Sequence, residues 1–369
     1  MSLKNVMVAQ SGGPTVAINA SLAGVIRGVM ASDQYETVYG SVNGILGILN
    51  NHLLNLTEIM NENPAYLDRL ETTPAMYLGS CRHKLPDYLD DDSSYVFIFK
   101  QFELYNVGAF FYIGGNDSMD TIKQLSDYGA MVGSDISFMG VPKTIDNDIY
   151  GTDMTFGFQS AVNIATNAID CIHTTASSHG RVFIVEIMGH KVGSLTLHAG
   201  VAGGADIILI PEIPYDIKKV TAAIQKRAKA GKRFTILAVA EGAISKEDAE
   251  LPKKKYKEKL EARAKKYPSV SYEIADQIYK EIGSEVRVTV PGHTQRGGEP
   301  CPYDRVLSTR IGAGAAQAIM DGEYGIMIGV VNGKIKRVPL EECAGKLKMV
   351  SPKDQLVVAA KQIGISFGD

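Results

Sequence analysis

Short apolar runs recur along the chain and end in Gly-rich or polar turns. They are Asn5–Gln10, Gly108–Ile113, Ile136–Val141, Arg181–Ile187, Ile207–Ile210, Phe234–Ala240 and Glu285–Val290. Each is rich in Val, Ile or Phe and reads as a strand buried on both faces. Helical patterns lie between them, at about Ala17–Ala31, Phe158–His173 and Asp216–Ala230. Strand, loop, helix and strand in repetition argue for parallel, doubly wound α/β sheets. With 369 residues there is room for two such domains, and the strands make two sheets' worth. They are expected to face each other across a cleft, with ligands at the carboxyl ends of the strands.

Composition removes several classes of function. A net charge of −3 argues against a nucleic-acid binder held by bulk electrostatics. The four cysteines, Cys81, Cys171, Cys301 and Cys343, form no C-x-x-C pair, so no zinc knot is expected. No apolar stretch reaches the ~20 residues that span a bilayer, and the first residues lack a signal-peptide core. A cytoplasmic protein is expected. The stretch Lys246–Lys280 mixes Lys and Glu at helical spacing, which reads as a solvated helix or helical hairpin rather than a nucleic-acid patch.

Chemistry-bearing residues collect where the runs end. Ser11-Gly12-Gly13-Pro14-Thr15 follows the first run and precedes a helical pattern. Two glycines let backbone N–H groups approach an anion, and a helix N-terminus favours negative charge. The segment matches neither G-x-G-x-x-G nor the P-loop. Gly114-Gly115-Asn116-Asp117-Ser118 repeats the pattern. Asp117 and Ser118 could simply cap a helix, or they could belong to a second phosphate cradle with a carboxylate for Mg²⁺. Pro142-Lys143-Thr144-Ile145-Asp146-Asn147-Asp148 follows the third run. On an extended backbone the two aspartates, two residues apart, would point the same way. One could hold a metal while the other takes a proton from a hydroxyl. Lys143 would neutralise a phosphate. Cations stand at further strand boundaries: Arg82, Arg181, Arg287, His293 and Arg296. Arginine suits bidentate phosphate binding. Glu241 is placed to accept hydrogen bonds from sugar hydroxyls.

Taken in order, SGG, GSCR, GGNDS, PKTIDND, SSHGRVFIVEIMG, AGG, AEG and EVRVTVPGHTQRGG with PYDR resemble the phosphofructokinases over nearly the whole chain. The resemblance implies two facing Rossmann-like domains. A donor domain would span 1–155 with about 295–345, and a sugar-phosphate domain 156–294 with about 346–369. It implies a homodimer or homotetramer with shared active sites, Mg²⁺ as cofactor, and fructose 6-phosphate as substrate. Asp146 would be the base toward the sugar 1-hydroxyl, with Lys143, Thr144 and Asp148 beside it. Gly12, Gly13, Arg82, Gly115, Asn116, Asp117 and Ser118 would hold the donor. Asn116, Asp117 and Asp148 would organise the metal. Met188, Gly189, His190, Glu241, His293 and Arg296 would join Thr144 and Asp146 in binding the sugar phosphate. Arg181 and Arg287 would reach in from a neighbouring subunit.

Members that use ATP typically read GGDGS and GTIDND. Asp117 and Lys143 resemble the pyrophosphate-dependent members, which makes pyrophosphate the expected donor and ATP the alternative. Sedoheptulose 7-phosphate is an alternative acceptor. Three departures from the family pattern stand out. Asn116 replaces an aspartate, His190 replaces an arginine, and Ala23 and His173 stand where regulated ATP enzymes carry effector-binding arginines. Control by nucleotide diphosphates or phosphoenolpyruvate is therefore expected to be weak or absent. A dinucleotide-binding oxidoreductase, the rival from another class, would need the missing G-x-G-x-x-G.

Overall fold

The computed structural model describes residues 3–369, the side chain at 179 excepted. Its strands in chain order are β1 (Lys4–Gln10), β2 (Tyr35–Ser41), β3 (Leu53–Asn55), β4 (Val107–Gly114), β5 (Ser137–Thr144), β6 (Phe156–Gly157), β7 (Val182–Ile187), β8 (Ile207–Leu209), β9 (Thr235–Ala240), β10 (Val286–Thr289), β11 (Ile326–Val331) and β12 (Lys334–Pro339). The chain forms two compact units, 1–160 with 296–348 and 161–295 with 349–369.

The sheet of the first unit runs β12-β11-β5-β4-β1-β2-β3, with β6 attached to β5. Its interior pairings are parallel, and only the outermost strands, β3 and β12, run antiparallel to their neighbours. Every residue of β4 is buried, as expected of a strand covered on both faces. Period-2 alternation sends Val6, Val8, Phe111 and Ile113 into one core. Met7, Ala9, Phe110 and Tyr112 go into the other. The helices Ile18–Met30 and Pro302–Met320 share the first face and pack very closely. A Cβ on Gly28 would stand 2.4 Å from the Cβ of Ala316. Glycine weakens a helix interior, and here it permits that close approach.

Five strands lie outside the apolar runs read from the sequence, among them the two-residue β6. β2 and β12 carry polar residues on half-exposed faces, and β3 is only three residues long. The apolar β11, IMIGVV, lies outside those runs although its pattern resembles theirs. The third run also extends further than its apolar residues, because β5 continues through Pro142, Lys143 and Thr144. β4 and β6 supply partners there, Gly114 opposite Pro142 and Phe156 opposite Lys143.

The second unit has a four-stranded parallel sheet, β10-β7-β9-β8. The C-terminal segment joins it through a bridge between Ile207 and Ser366. The helix that starts at Phe158 runs past His173 to His179. The Lys/Glu-rich stretch is a helical hairpin. Lys253–Lys266 buries no residue, while Val270–Ile282 packs Ile274 and Ile278 against the sheet. Arg263 and Glu273 link the two helices at 3.5 Å. No helix of the described residues is long and apolar enough to cross a membrane.

Candidate active site

The order of strands in the first sheet creates a crevice. From β1 the chain moves to β2 on one side, and later returns to place β4 on the other. Ligands of open α/β sheets bind outside the carboxyl ends at such a switch point. Both glycine turns lie there. Ser11 N–H donates to Ile113 O at 2.9 Å, tying the first turn to the end of β4. Gly12 has φ +80°, a region that favours glycine. The Gly79–Arg82 segment braces this turn. Gly12 N–H donates to Cys81 O at 3.2 Å, and Ser80 Oγ donates to Gly12 O at 2.5 Å. The helix after the first turn starts at Ile18, so turn residues separate it from Thr15 and the turn does not open directly into it.

At the second turn Gly115 is the N-cap of the helix Asn116–Met131, and neither Asp117 nor Ser118 caps it through a side chain. Asp117 lies in the first helical turn, where negative charge is favoured. It pairs with Lys84 at 2.9 Å, with both side chains 76 % exposed. A pair this exposed contributes about 0–1 kcal/mol and can yield to a bound phosphate.

Two cations underlie the glycines. Lys143 is 1 % exposed, and its Nζ donates to Gly13 O at 2.6 Å. That Nζ lies 3.2 Å from where a Cβ on Gly12 would stand. The Arg296 guanidinium lies 3.0 Å from a Cβ built on Gly13. Burial pushes the Lys143 ammonium down to about 7, and the charges of Arg296 and Arg82 act the same way. Asp146 and Asp148 oppose the shift. A buried ammonium flanked by further cations marks a place suited to an anion.

The loop after β5 is not extended, because Asn147 adopts φ +52° between the two aspartates. The parity argument for parallel carboxylates therefore fails. Asparagine tolerates this left-handed conformation better than most residues. Asp146 N–H donates to Thr144 Oγ1 at 3.0 Å. Asn147 Oδ1 accepts from Thr155 N–H at 3.0 Å and from Lys348 Nζ at 2.9 Å. Thr155 Oγ1 donates to Thr144 O at 2.9 Å. Asp148 is buried. Burial pushes the Lys348 ammonium down to about 8, against the pull of Asp153 and Asp148. Among the described residues no three His, Cys, Asp or Glu side chains are grouped to hold a metal ion unaided. Asn116, Asp117 and Asp148 offer only oxygen ligands. That set suits Mg²⁺, which keeps waters and substrate phosphates in its shell.

In the second unit Met188, Gly189 and His190 follow β7, and Glu241 follows β9. Glu241 Oε1 accepts from Gly189 N–H at 3.2 Å and His190 N–H at 2.7 Å. Its backbone N–H donates to Ile187 O at 2.9 Å. Gln295, 1 % exposed, accepts from Met188 N–H at 3.2 Å and donates to Gly292 O at 3.1 Å. It thereby ties the turn bearing His293 to the end of β7. Arg181 and Arg287 lie elsewhere. Both pair with Glu285 near the amino-terminal ends of β7 and β10, the end opposite Met188 and Glu241.

Sequence reading did not single out Lys84, Asn147, Thr155, Glu212, Gln295 or Lys348. Asn147 sat inside a quoted motif and could have been found there. Glu212 accepts from Gly193 N–H on both oxygens and from Val350 N–H, each at 3.0 Å. Burial raises its carboxyl pKa. Asp304, from the PYDR motif, accepts from Ser160 N–H and Oγ, both at 2.7 Å, and so holds the start of the helix Phe158–His179.

Glycine turns at a switch point, a buried lysine and a half-buried arginine beneath them and aspartates at the next strand end define an α/β protein suited to binding phosphate. The family model for phosphofructokinase matches residues 5–319, and the chain belongs to that family. It is 40 % identical over 367 residues to an ATP-dependent 6-phosphofructokinase of Spirochaeta thermophila, covering 97 % of this chain and 96 % of that one. It is 39 % identical over 361 residues to ATP-dependent 6-phosphofructokinase 3 of Bacteroides thetaiotaomicron, covering 97 % and 98 %. Among solved structures, the pyrophosphate-dependent phosphofructokinase of Nitrosospira multiformis matches with TM-score 0.82 and 25 % identity, covering 100 % of this chain and 93 % of that one. That of Marinobacter aquaeolei matches with TM-score 0.80 and 26 % identity, covering 99 % and 92 %.

Proposed function

We propose that the chain transfers a phosphoryl group from pyrophosphate to the 1-hydroxyl of fructose 6-phosphate, giving fructose 1,6-bisphosphate, in the cytoplasm. The observation that carries the donor assignment is the ammonium of Lys143, buried against Gly13 O at 2.6 Å. It fills the space behind Gly12 and supplies positive charge to a short donor. Asp117, in the first turn of the next helix, would crowd and repel the inner phosphate of a nucleotide. Pyrophosphate has no such phosphate.

Phosphoryl transfer rests on positioning and charge stabilisation. Gly12, Gly13, Arg82, Gly115, Ser118 and Lys143 would hold the donor, and Thr144 would steady the transferred group. Asp146 would accept the proton of the sugar hydroxyl. Met188, Gly189, His190, Glu241, His293 and Arg296 would hold fructose 6-phosphate. Arg181 and Arg287 would serve the site of a neighbouring subunit in a homodimer or homotetramer. Asn116, Asp117 and Asp148 would hold Mg²⁺, whose charge neutralises the phosphate oxygens.

The ATP-dependent reading draws support from the names of the relatives at 39–40 % identity. Initial rates with fructose 6-phosphate and Mg²⁺, with pyrophosphate or ATP as donor, separate the two. Turnover with pyrophosphate that collapses in Lys143→Gly is expected. Turnover with ATP alone would discard the donor assignment, and inactivity with both would direct the search to another acceptor such as sedoheptulose 7-phosphate.

A further inference from the structure

We propose that Lys348 is a positioning residue for the loop that carries Asp146 and Asp148, acting through Asn147. The catalytic consequence rests on the role proposed above for Asp146, while the structural consequence does not.

Lys348 is the last residue of the first unit before the chain passes to the second. No motif surrounds it. Its contacts nevertheless converge on the loop. Nζ donates to Asn147 Oδ1 at 2.9 Å, to Thr152 O at 2.8 Å and to Asp153 O at 2.9 Å. An ammonium has three protons, and these acceptors use all of them. The backbone adds a second hold. Lys348 N–H donates to Asp148 O at 2.9 Å, and Leu347 forms an antiparallel bridge with Ile149. One side of the loop is thus built by a segment two hundred residues further along the chain.

Asn147 is the point at which this hold reaches the chemistry. Its left-handed backbone, φ +52°, sets the direction of the chain between the two aspartates. A non-glycine residue in that region persists when its surroundings over-determine it. Here the surroundings are Thr155 N–H, Asp153 O and the Lys348 ammonium. Removing the ammonium leaves Thr152 O and Asp153 O without this donor and Asn147 with a weaker anchor. Asp153 O keeps its bond from Asn147 Nδ2, but Thr152 O and Asn147 Oδ1, both part-buried, lose a charged donor, which favours local rearrangement. A shift of ~1 Å in a catalytic group can cost about 10²-fold in rate.

The test uses Lys348→Met, which keeps the stem and removes the donors, and Asn147→Gly, which accepts φ +52° without strain. Two readouts are compared with wild type. One is amide hydrogen exchange of residues 146–153 against that of β1 and β4. The other is kcat and KM for both substrates, using whichever donor the wild type accepts. Expected are faster exchange confined to 146–153 and kcat lower by about 10²-fold. KM should stay within about 3-fold, the signature of an interaction needed in the transition state rather than for binding. The double variant should be no worse than the poorer single variant within about 3-fold, because residues acting in one network are not additive. Unchanged exchange at 146–153, a loss carried by KM with kcat intact, or losses that multiply in the double variant would overturn the proposal. If Lys348→Met does not fold, Asn147→Gly decides it by the same exchange and kinetic criteria. A wild type inactive with both donors would sink the functional reading, and exchange would still decide the placement of the loop.

Discussion

Lys143→Met should stabilise the protein while disabling it, and the stabilisation should depend on pH in a defined direction. The lysine side chain is 1 % exposed, and its ammonium is pushed from the ordinary 10.5 to about 7, first by burial and then by Arg296. One pKa unit corresponds to 1.36 kcal/mol, so charging this group in the fold costs about 5 kcal/mol. Between pH 7 and 10.5 the unfolded chain binds a proton that the folded chain does not. Stability therefore rises with pH across that window, and the full penalty applies below it. Methionine carries no such penalty. It also forgoes the bond to Gly13 O, worth about 1 kcal/mol. The net gain at pH 6 is about 4 kcal/mol, an upper value since relaxation softens buried charges, and it fades to about zero near pH 9.5. For a chain of 369 residues this corresponds to about 5 °C in Tm at pH 6. Thermal unfolding of both proteins from pH 6 to 9.5 measures it. Pyrophosphate turnover of the variant should fall by about 10²-fold, because charge stabilisation of the transferring group is lost. A variant that melts below wild type at pH 6, or whose gain is independent of pH, would refute the reasoning.

Three further outcomes are expected. Gly13→Ala places a Cβ 3.0 Å from the Arg296 guanidinium, displacing a flexible side chain rather than backbone. Donor kcat/KM should fall by about 10-fold with Tm nearly unchanged, as read by kinetics and melting. Glu241→Ala removes the acceptor for Gly189 N–H and His190 N–H. KM for the sugar phosphate should rise by about 10-fold or more, while donor binding followed by calorimetry stays as in wild type. Asp304→Ala takes the acceptor from Ser160 N–H and Oγ and should cost about 1–3 kcal/mol, seen as a lower Tm at every pH at which Asp304 is ionised.

The α/β alternation was legible because burial on both faces leaves a local mark, a run of Val, Ile and Phe without polar interruption. Three of the strands that escaped have different surroundings, whereas the buried, apolar β11 carries the same local mark as the legible ones. β2 and β12 are half-exposed near or at the sheet edge, and β3 is three residues long. The glycine turns were legible for the same local reason, since only certain residues adopt their backbone or permit the close approach. The bend at Asn147, φ +52°, replaces the expected extended backbone, because a motif names residues without fixing their φ. Burial of Lys143 was equally invisible, since a lysine beside a strand end looks the same whether it faces water or a packed sheet.

The strand-and-helix alternation, the stations where chemistry could sit and the family to which the chain belongs are all written in the chain itself. These follow from local periodicity and from motifs a few residues long. What those stations touch is set by packing between segments distant in the chain. Lys143 meets Gly13 across 130 positions and Lys348 meets Asn147 across 201. Arg296 likewise meets the glycine turn at Gly13. Such contacts are made by sheet order and by the return of the chain after residue 295. Burial, and with it the electrostatics of an ammonium, is a property of everything packed around a residue, and local sequence does not carry it.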